Sequence, residues 1–205
     1  MYKFVNACIV MYAYDILLLA PSVHSLQILV SACESMLGQL DFAINVRKSV
    51  CIRIGPRCHF SCSPILLSDG SELQWVDSIR YLGVCVTRST HFSCSFDNAK
   101  KSFYRSFNAI LGRIASENVV MQLIKSKCVP VLLYAVDACP TDRTLERSLQ
   151  FPLTRIMMKI FKTNSKEIIN NCQLHFGLQP ISDAIKKRKI NFLNEIPTTC
   201  NALCT

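Results

Sequence analysis

The sequence predicts an α+β fold in which a hairpin-rich half is followed by an all-helical half. Two observations carry this. Up to about residue 97, short apolar runs alternate with Pro, Ser, Asp and Gly punctuation, the pattern of strands and turns. Beyond it, apolar residues recur every three or four positions, the pattern of amphipathic helices.

Residues 4–12 and 16–20 are two apolar runs separated by Ala13, Tyr14 and Asp15, which predicts a β-hairpin with a polar tip. Pro21 and Ser22 then punctuate, and Leu26, Leu29, Val30, Cys33, Leu37 and Leu40 follow helical spacing, with Ser22 or Ser25 as N-cap. This helix is expected to cover one face of a sheet. From Val50 to Ile54 the period changes to two, with Cys51 and Arg53 on the opposite face from Val50, Ile52 and Ile54. Asp69-Gly70 between Ile65–Leu67 and Leu73–Val76 predicts a second hairpin, because both residues tolerate the backbone of a tight turn. Ile79 to Val86 reads as one further strand containing Gly83.

In the second half, Phe103, Phe107, Ile110, Leu111 and Ile114 mark a helix whose other face carries Lys100, Lys101, Arg105 and Arg113. Val119 to Tyr134 repeats the pattern, with Pro130 expected to kink or break it. Leu145, Leu149, Leu153, Ile156, Ile160 and Phe161 trace a third helix disturbed at Pro152, and shorter helices are expected at 165–175 and 181–195. Half of the 205 residues are apolar and 18% charged, enough for one substantial core or two small ones, and one compact body with an appendage is expected.

The net charge of +9 is unevenly placed. Residues 1–97 hold seven basic and seven acidic side chains, whereas 98–205 hold sixteen basic against seven acidic, so the whole surplus lies in the second half. That half is the candidate for contact with phosphates. Lys186-Lys187-Arg188-Lys189 reads either as a solvated helix face or as a nuclear address or nucleic-acid contact.

Twelve cysteines and an apolar start after Lys3 superficially suit a secreted, disulfide-stapled protein. Asp15 interrupts that run, and the chain is too long and too apolar to need staples in place of a core. Cys33, Cys85, Cys128 and Cys172 fall where a small hydrophobe would serve, so no disulfide framework and a nuclear or cytoplasmic location are expected. No stretch approaches the roughly 20 uncharged apolar residues of a membrane span. Cys58-x3-Cys62 and Cys200-x3-Cys204 lack the spacing of a zinc site.

The run Met11-Tyr12-Ala13-Tyr14-Asp15-Ile16-Leu17-Leu18-Leu19-Ala20 resembles the Tyr-x-Asp-Asp hairpin of reverse transcriptases, in the form MYADDILLLA found in LINE-type (non-LTR) retrotransposons. Behind it come Ile44-Asn45-Val46-Arg47-Lys48-Ser49, Trp75-Val76 and Ile79-Arg80-Tyr81-Leu82-Gly83-Val84. These resemble the family's Asn-x-x-Lys-Ser/Thr segment and its Tyr-Leu-Gly primer grip. Cys128 to Tyr134 resembles its thumb region. The resemblance spans about 4–180 and implies a partial polymerase palm at 1–96, a helical thumb at 97–162 and a helical extension at 163–205. It also implies Mg²⁺ as cofactor and an RNA template with a DNA primer as partners.

By the same resemblance Asp15 matches the second catalytic aspartate and would be a metal ligand, while Tyr14 stands where the first would be. A neutral phenol is a poor ligand for Mg²⁺, which favours carboxylate oxygen. The partner carboxylate and the fingers would lie ahead of Met1. Lys48 matches a lysine that stabilises the leaving pyrophosphate, and Tyr81, Leu82 and Gly83 would position the primer end. Lys100, Lys101, Arg105 and Arg113 would face the phosphate backbone. Read without the family, Asp15 is a polar turn residue, Lys48 a solvated lysine, Tyr81 a core tyrosine and Gly83 a close backbone approach. The expected function is a reverse-transcriptase fragment that does not extend a primer by itself; the alternatives are a salt-sensitive nucleic-acid-binding remnant or a relic without selected function.

Overall fold

The computed structural model describes residues 7–111 and 116–195. The chain is α+β and divides into two compact units. One holds the described residues up to Arg80 together with Val86–Phe92, and the other holds Tyr81–Cys85 with those from Ser93 onward. Residues 163–195 therefore group with the preceding helices.

In the first unit, β1 (Cys8–Tyr12) and β2 (Asp15–Leu19) form the expected antiparallel hairpin, closed by the pair Tyr12 and Asp15. It is a two-stranded sheet, and it leaves Ile9, Met11, Tyr12 and Leu19 exposed. An apolar ribbon with open edges is the kind of surface that soluble proteins usually cover. Helix α1 (Val23–Gly38) starts where the Ser22 side chain accepts from the Ser25 amide at 3.1 Å. It buries Leu29 and Val30 and packs against β2 and against β4 (Ile65–Leu66), so it covers two sheets. Leu40 lies past the helix end and is exposed.

The second hairpin forms as expected: β4 runs antiparallel to β5 (Glu72–Trp75). At its turn Gly70 has φ +81°, and Asp69 accepts from both the amide and the hydroxyl of Ser71. Those two hydrogen bonds hold the Asp69 carboxyl below its ordinary range. The expected strand at 50–54 is shorter: β3 covers Val50–Cys51 and lies parallel to β5, so this sheet is mixed rather than built of hairpins alone. The Gly55 amide is turned instead to the Ser89 carbonyl, which draws the chain out of the sheet. Gln27 satisfies the free edge of β4 from α1, accepting from the Leu66 amide at 2.9 Å and donating to the Leu66 carbonyl at 2.7 Å. A side-chain amide thus stands where a fourth strand would pair.

The single strand expected at 79–86 is two strands. β6 (Ser78–Tyr81) and β7 (Val84–Thr87) are joined by Leu82 at φ +46° and Gly83 at φ +82°, the two positive angles of a type I′ turn. A third strand, β8 (Ser93–Ser95), completes the order β6-β7-β8; its Ser-Cys-Ser sequence carries no periodic signal. Both turn residues belong to the second unit, where the Tyr134 hydroxyl donates to the Leu82 carbonyl at 3.0 Å. A Cβ on Gly83 would meet the Tyr134 ring at 3.0 Å. Gly83→Ala is therefore expected to destabilise this unit by about 1–3 kcal/mol through left-handed backbone strain and crowding. Tyr134→Phe should lose only about 0.5–1.5 kcal/mol, the contribution of one hydrogen bond. Chemical denaturation of both variants checks the order; equal losses would remove the steric role given to Gly83.

The helices of the second unit are α2 (Asp97–Leu111), α3 (Glu117–Leu123), α4 (Val129–Leu132), α5 (Arg143–Ile160), α6 (Lys166–His175) and α7 (Ile181–Glu195). Phe103 and Phe107 of α2 are fully buried among Met121, Ile124, Leu132, Leu149, Leu153 and Ile156. The disturbance expected at Pro130 arrives earlier, as a π-helical turn at Ile124–Cys128 in which the Val129 amide reaches back to the Ile124 carbonyl. Widening the turn ahead of a proline gives its ring room against the carbonyl four residues back. Helix α5 continues through the buried Pro152, starting from Asp142, whose carboxylate accepts from the Leu145 amide at 2.7 Å. Just past the end of α6, Gly177 has φ +60°, and the Leu178 amide donates to the Gln173 carbonyl and the Gly177 amide to that of Leu174. That reciprocal pair is a Schellman ending, and it turns the chain from α6 toward α7.

Candidate nucleic-acid interface and the hairpin carboxylate

At the tip of the first hairpin Ala13 has φ +50° and Tyr14 is 95% exposed, with Asp15 exposed beside it. Strand alternation and a two-residue turn thus hold one phenol and one carboxylate out in solvent. Among the described residues no three His, Cys, Asp or Glu side chains stand close enough to share a metal ion. The donors at this tip do not fit the two-metal arrangement of phosphoryl transfer, which needs carboxylates converging from neighbouring strands.

Lys48 follows a turn organised by Asn45, whose carbonyl and side-chain oxygen both accept from the Lys48 amide and whose carbonyl also accepts from Ser49. The Asn-x-x-Lys-Ser pattern therefore has a local structural reason, an Asx-type turn. The Lys48 side chain is exposed, and among the described residues no ion pair joins it to Asp15. Tyr81, Leu82 and Gly83 come together as the turn described above, with the Tyr81 hydroxyl buried and lacking a hydrogen-bond partner.

The basic side chains of α2 divide. Lys100 is drawn inward, donating to the Ser148 hydroxyl of α5 at 2.6 Å and pairing with Asp97 at 3.3 Å. This pairing, after the Ser95 hydroxyl, holds the Asp97 carboxyl below its ordinary range. Lys101 and Arg105 stay exposed on the helix surface, and Arg113 lies outside the described residues. Between Lys101 and Arg105 sits Tyr104, edge-on to Phe103 with ring centroids 5.7 Å apart. Burial pushes the Tyr104 phenol above its ordinary range, and the Arg155 charge from α5 partly counters this.

α5 adds two cations that the sequence reading did not single out. Arg155 stands over the exposed Phe151 ring at 6.0 Å, and Lys159 over Phe107 at 5.9 Å. Their signal was present in the sequence: 151, 155 and 159 recur at intervals of four on the flank of the Leu149, Leu153 and Ile156 stripe. α2 and α5 pack on one another, with Arg155 beside Tyr104 and Lys159 over Phe107, while Lys101 and Arg105 are exposed farther round α2. Exposed cations beside an exposed ring such as Phe151 can hold phosphates and stack a base.

The run at 186–189 is not uniformly solvated. Lys186 and Lys187 are exposed, but Arg188 donates to the Leu133 carbonyl at 2.9 Å and stands 3.8 Å from the Asp137 carboxylate. The guanidinium adds a second donor to the Leu133 carbonyl at the end of α4, which the Val136 amide reaches only at 3.4 Å.

Among the described residues every cysteine is free, with Cys51, Cys58, Cys128 and Cys139 buried and Cys33, Cys85 and Cys172 half-buried. Burial pushes the Cys128 and Cys33 thiols up, and Cys139, which also hydrogen-bonds with Cys94, is pushed up to about 12. Cys200 and Cys204 lie outside the described residues. Among the described residues no helix is long and apolar enough to cross a membrane. Comparison with protein-family models, with curated proteins and with solved structures finds no match to this chain.

Proposed function

We propose that this chain is a polymerase-derived nucleic-acid-binding fragment of the LINE-type reverse-transcriptase kind, which holds RNA or DNA through its helical unit and does not itself extend a primer. One observation carries the binding half of the reading: Lys101 and Arg105 of α2 and Arg155 and Lys159 of α5 are all exposed on two helices that pack on one another, and Arg155 stands over the exposed Phe151 ring. The ordered landmarks from Met11 to Tyr134 supply the ancestry. The exposed Tyr14 and lone Asp15 at the hairpin tip are the reason for assigning binding rather than synthesis.

Attraction of this kind is sequence-independent and weak, with affinity of about 10⁻⁴ to 10⁻⁶ M at physiological salt. Titration of single-stranded RNA and DNA into the chain at several salt concentrations tests it. Changing Lys101, Arg105, Arg155 and Lys159 together to Gln should reduce the salt slope of log K by up to about three, since each contact with a single strand contributes about 0.7. Lys100→Gln should leave the slope unchanged, because that ammonium is already held by Ser148 and Asp97. An undiminished slope in the fourfold variant rejects this interface.

A further inference from the structure

Cys51, Arg53 and Cys62 form a cluster in the first unit that no part of the nucleic-acid reading uses. Arg53 lies two residues beyond Cys51, and its Nη1 donates to the Cys62 sulfur at 3.1 Å. Cys51 is in register with Trp75 on the neighbouring strand, and the Trp75 indole donates to the carbonyl of Ser63, next to Cys62, at 3.0 Å. Two hydrogen bonds therefore draw 51–53 and 62–63 together from either side. Cys51 is 7% exposed, whereas Cys62 is half-buried and lines an open pocket of about 400 Å³ with Pro64, Glu72, Leu73, Gln74 and Trp75.

We propose that Cys62 and Cys51 are an oxidisable dithiol that reacts with small disulfides, Cys62 as the attacking sulfur, Arg53 as its positioning residue and Cys51 as the resolving thiol. The thiolate is the nucleophile in such exchange, and the Arg53 guanidinium, hydrogen-bonded to the Cys62 sulfur, holds that sulfur in place beside the pocket. The Cys62 sulfur attacks one sulfur of the small disulfide, whose S–S bond breaks and releases one thiolate. Cys51 then loses its proton and attacks the Cys62 sulfur of the mixed disulfide, expelling the second thiolate. The two protons from the cysteines end on the two released small thiols, so two protein thiols are oxidised as one small disulfide is reduced. Roles are divided by environment: Cys51 is 7% exposed and its thiol is pushed up to about 11 by burial, with Cys62 nearby, so it is the poorer attacking sulfur toward a disulfide from solvent and is left to act on the mixed disulfide next to it. Glu72 at the pocket makes a cationic disulfide the suitable probe.

The experiment is brief exposure of the whole folded chain to limiting cystamine, followed by acid quenching and peptide mass spectrometry. Cys62 should react ahead of the half-buried Cys8, Cys33, Cys85, Cys94 and Cys172, and the product should be a Cys51–Cys62 cross-link. Arg53→Met should slow the first step by about three- to tenfold, Arg53→Lys by less, with the Cys33 rate unchanged as the control for folding. Cys51→Ala should stop the reaction at a mixed disulfide on Cys62. A different cysteine reacting first, an unchanged rate in Arg53→Met, a mixed disulfide that persists in the unaltered chain, or a cross-link elsewhere would each overturn the proposal.

Discussion

Tyr14→Asp is expected to leave primer extension on an RNA template at background, as in the unaltered chain, with Mg²⁺ or Mn²⁺ present. The substitution restores the carboxylate that the reverse-transcriptase pattern places at the tip, so a simple reading of the motif would expect rescue. The geometry argues otherwise. Tyr14 and Asp15 are neighbours at the end of a two-stranded ribbon, and both belong to one hairpin. Two adjacent carboxylates at such a tip can attract a divalent cation weakly, but holding the attacking and leaving oxygens between two ions needs ligands converging from another strand. A null result here is informative because Tyr14 is 95% exposed, and a change at such a site should alter stability by no more than about 0.5 kcal/mol. Circular dichroism should show the two proteins equally folded. Template-dependent DNA synthesis by the purified Tyr14→Asp chain would refute the assignment of binding without synthesis.

The largest effect on stability is expected at Phe103. It is fully buried in the helical core, beside Phe107 and against Tyr104, and truncation to Ala removes most of the ring volume from a closely packed region. Such substitutions cost about 3–5 kcal/mol. With a urea dependence of about 2 kcal/mol per molar, the unfolding midpoint should fall by roughly 1.5–2.5 M. Leu174, on the outer side of α6 and 76% exposed, is the control, and Leu174→Ala should stay within about 0.5 kcal/mol. Equal shifts for the two variants would mean that Phe103 does not anchor this core. Salt-dependent binding should survive Phe103→Ala below the midpoint and vanish above it, because the interface exists only while α2 and α5 are packed.

Local sequence determined where many elements begin and end. Ser22, Asp142 and Ser165 cap helices because their side-chain oxygens reach an amide three residues on, an interaction complete within one turn. Asp69-Gly70 and Gly177 act over equally short distances, so the second hairpin and the end of α6 were legible before any packing was known. The buried stripe of α5 was legible for the same reason, since 3.6-residue periodicity is a property of the helix itself. The hairpin carrying Tyr14 and Asp15 was also readable, including its apolar ribbon.

Tertiary structure decided what depends on residues far apart in the chain. Tyr81-Leu82-Gly83-Val84 reads as continuous strand by hydropathy, yet it turns, with Tyr134 from 52 positions away donating to Leu82 and closing over Gly83. The fates of the basic residues were equally illegible. Lys100 and Lys101 are identical in type and adjacent, but one meets Ser148, 48 positions on, and the other meets solvent. Arg188 sits in a run of four cations and alone finds the Leu133 carbonyl, 55 positions back. Periodicity assigns a side chain to a face of its own element; only the packing of a second element against that face decides whether a cation there is held by the protein or left for a phosphate.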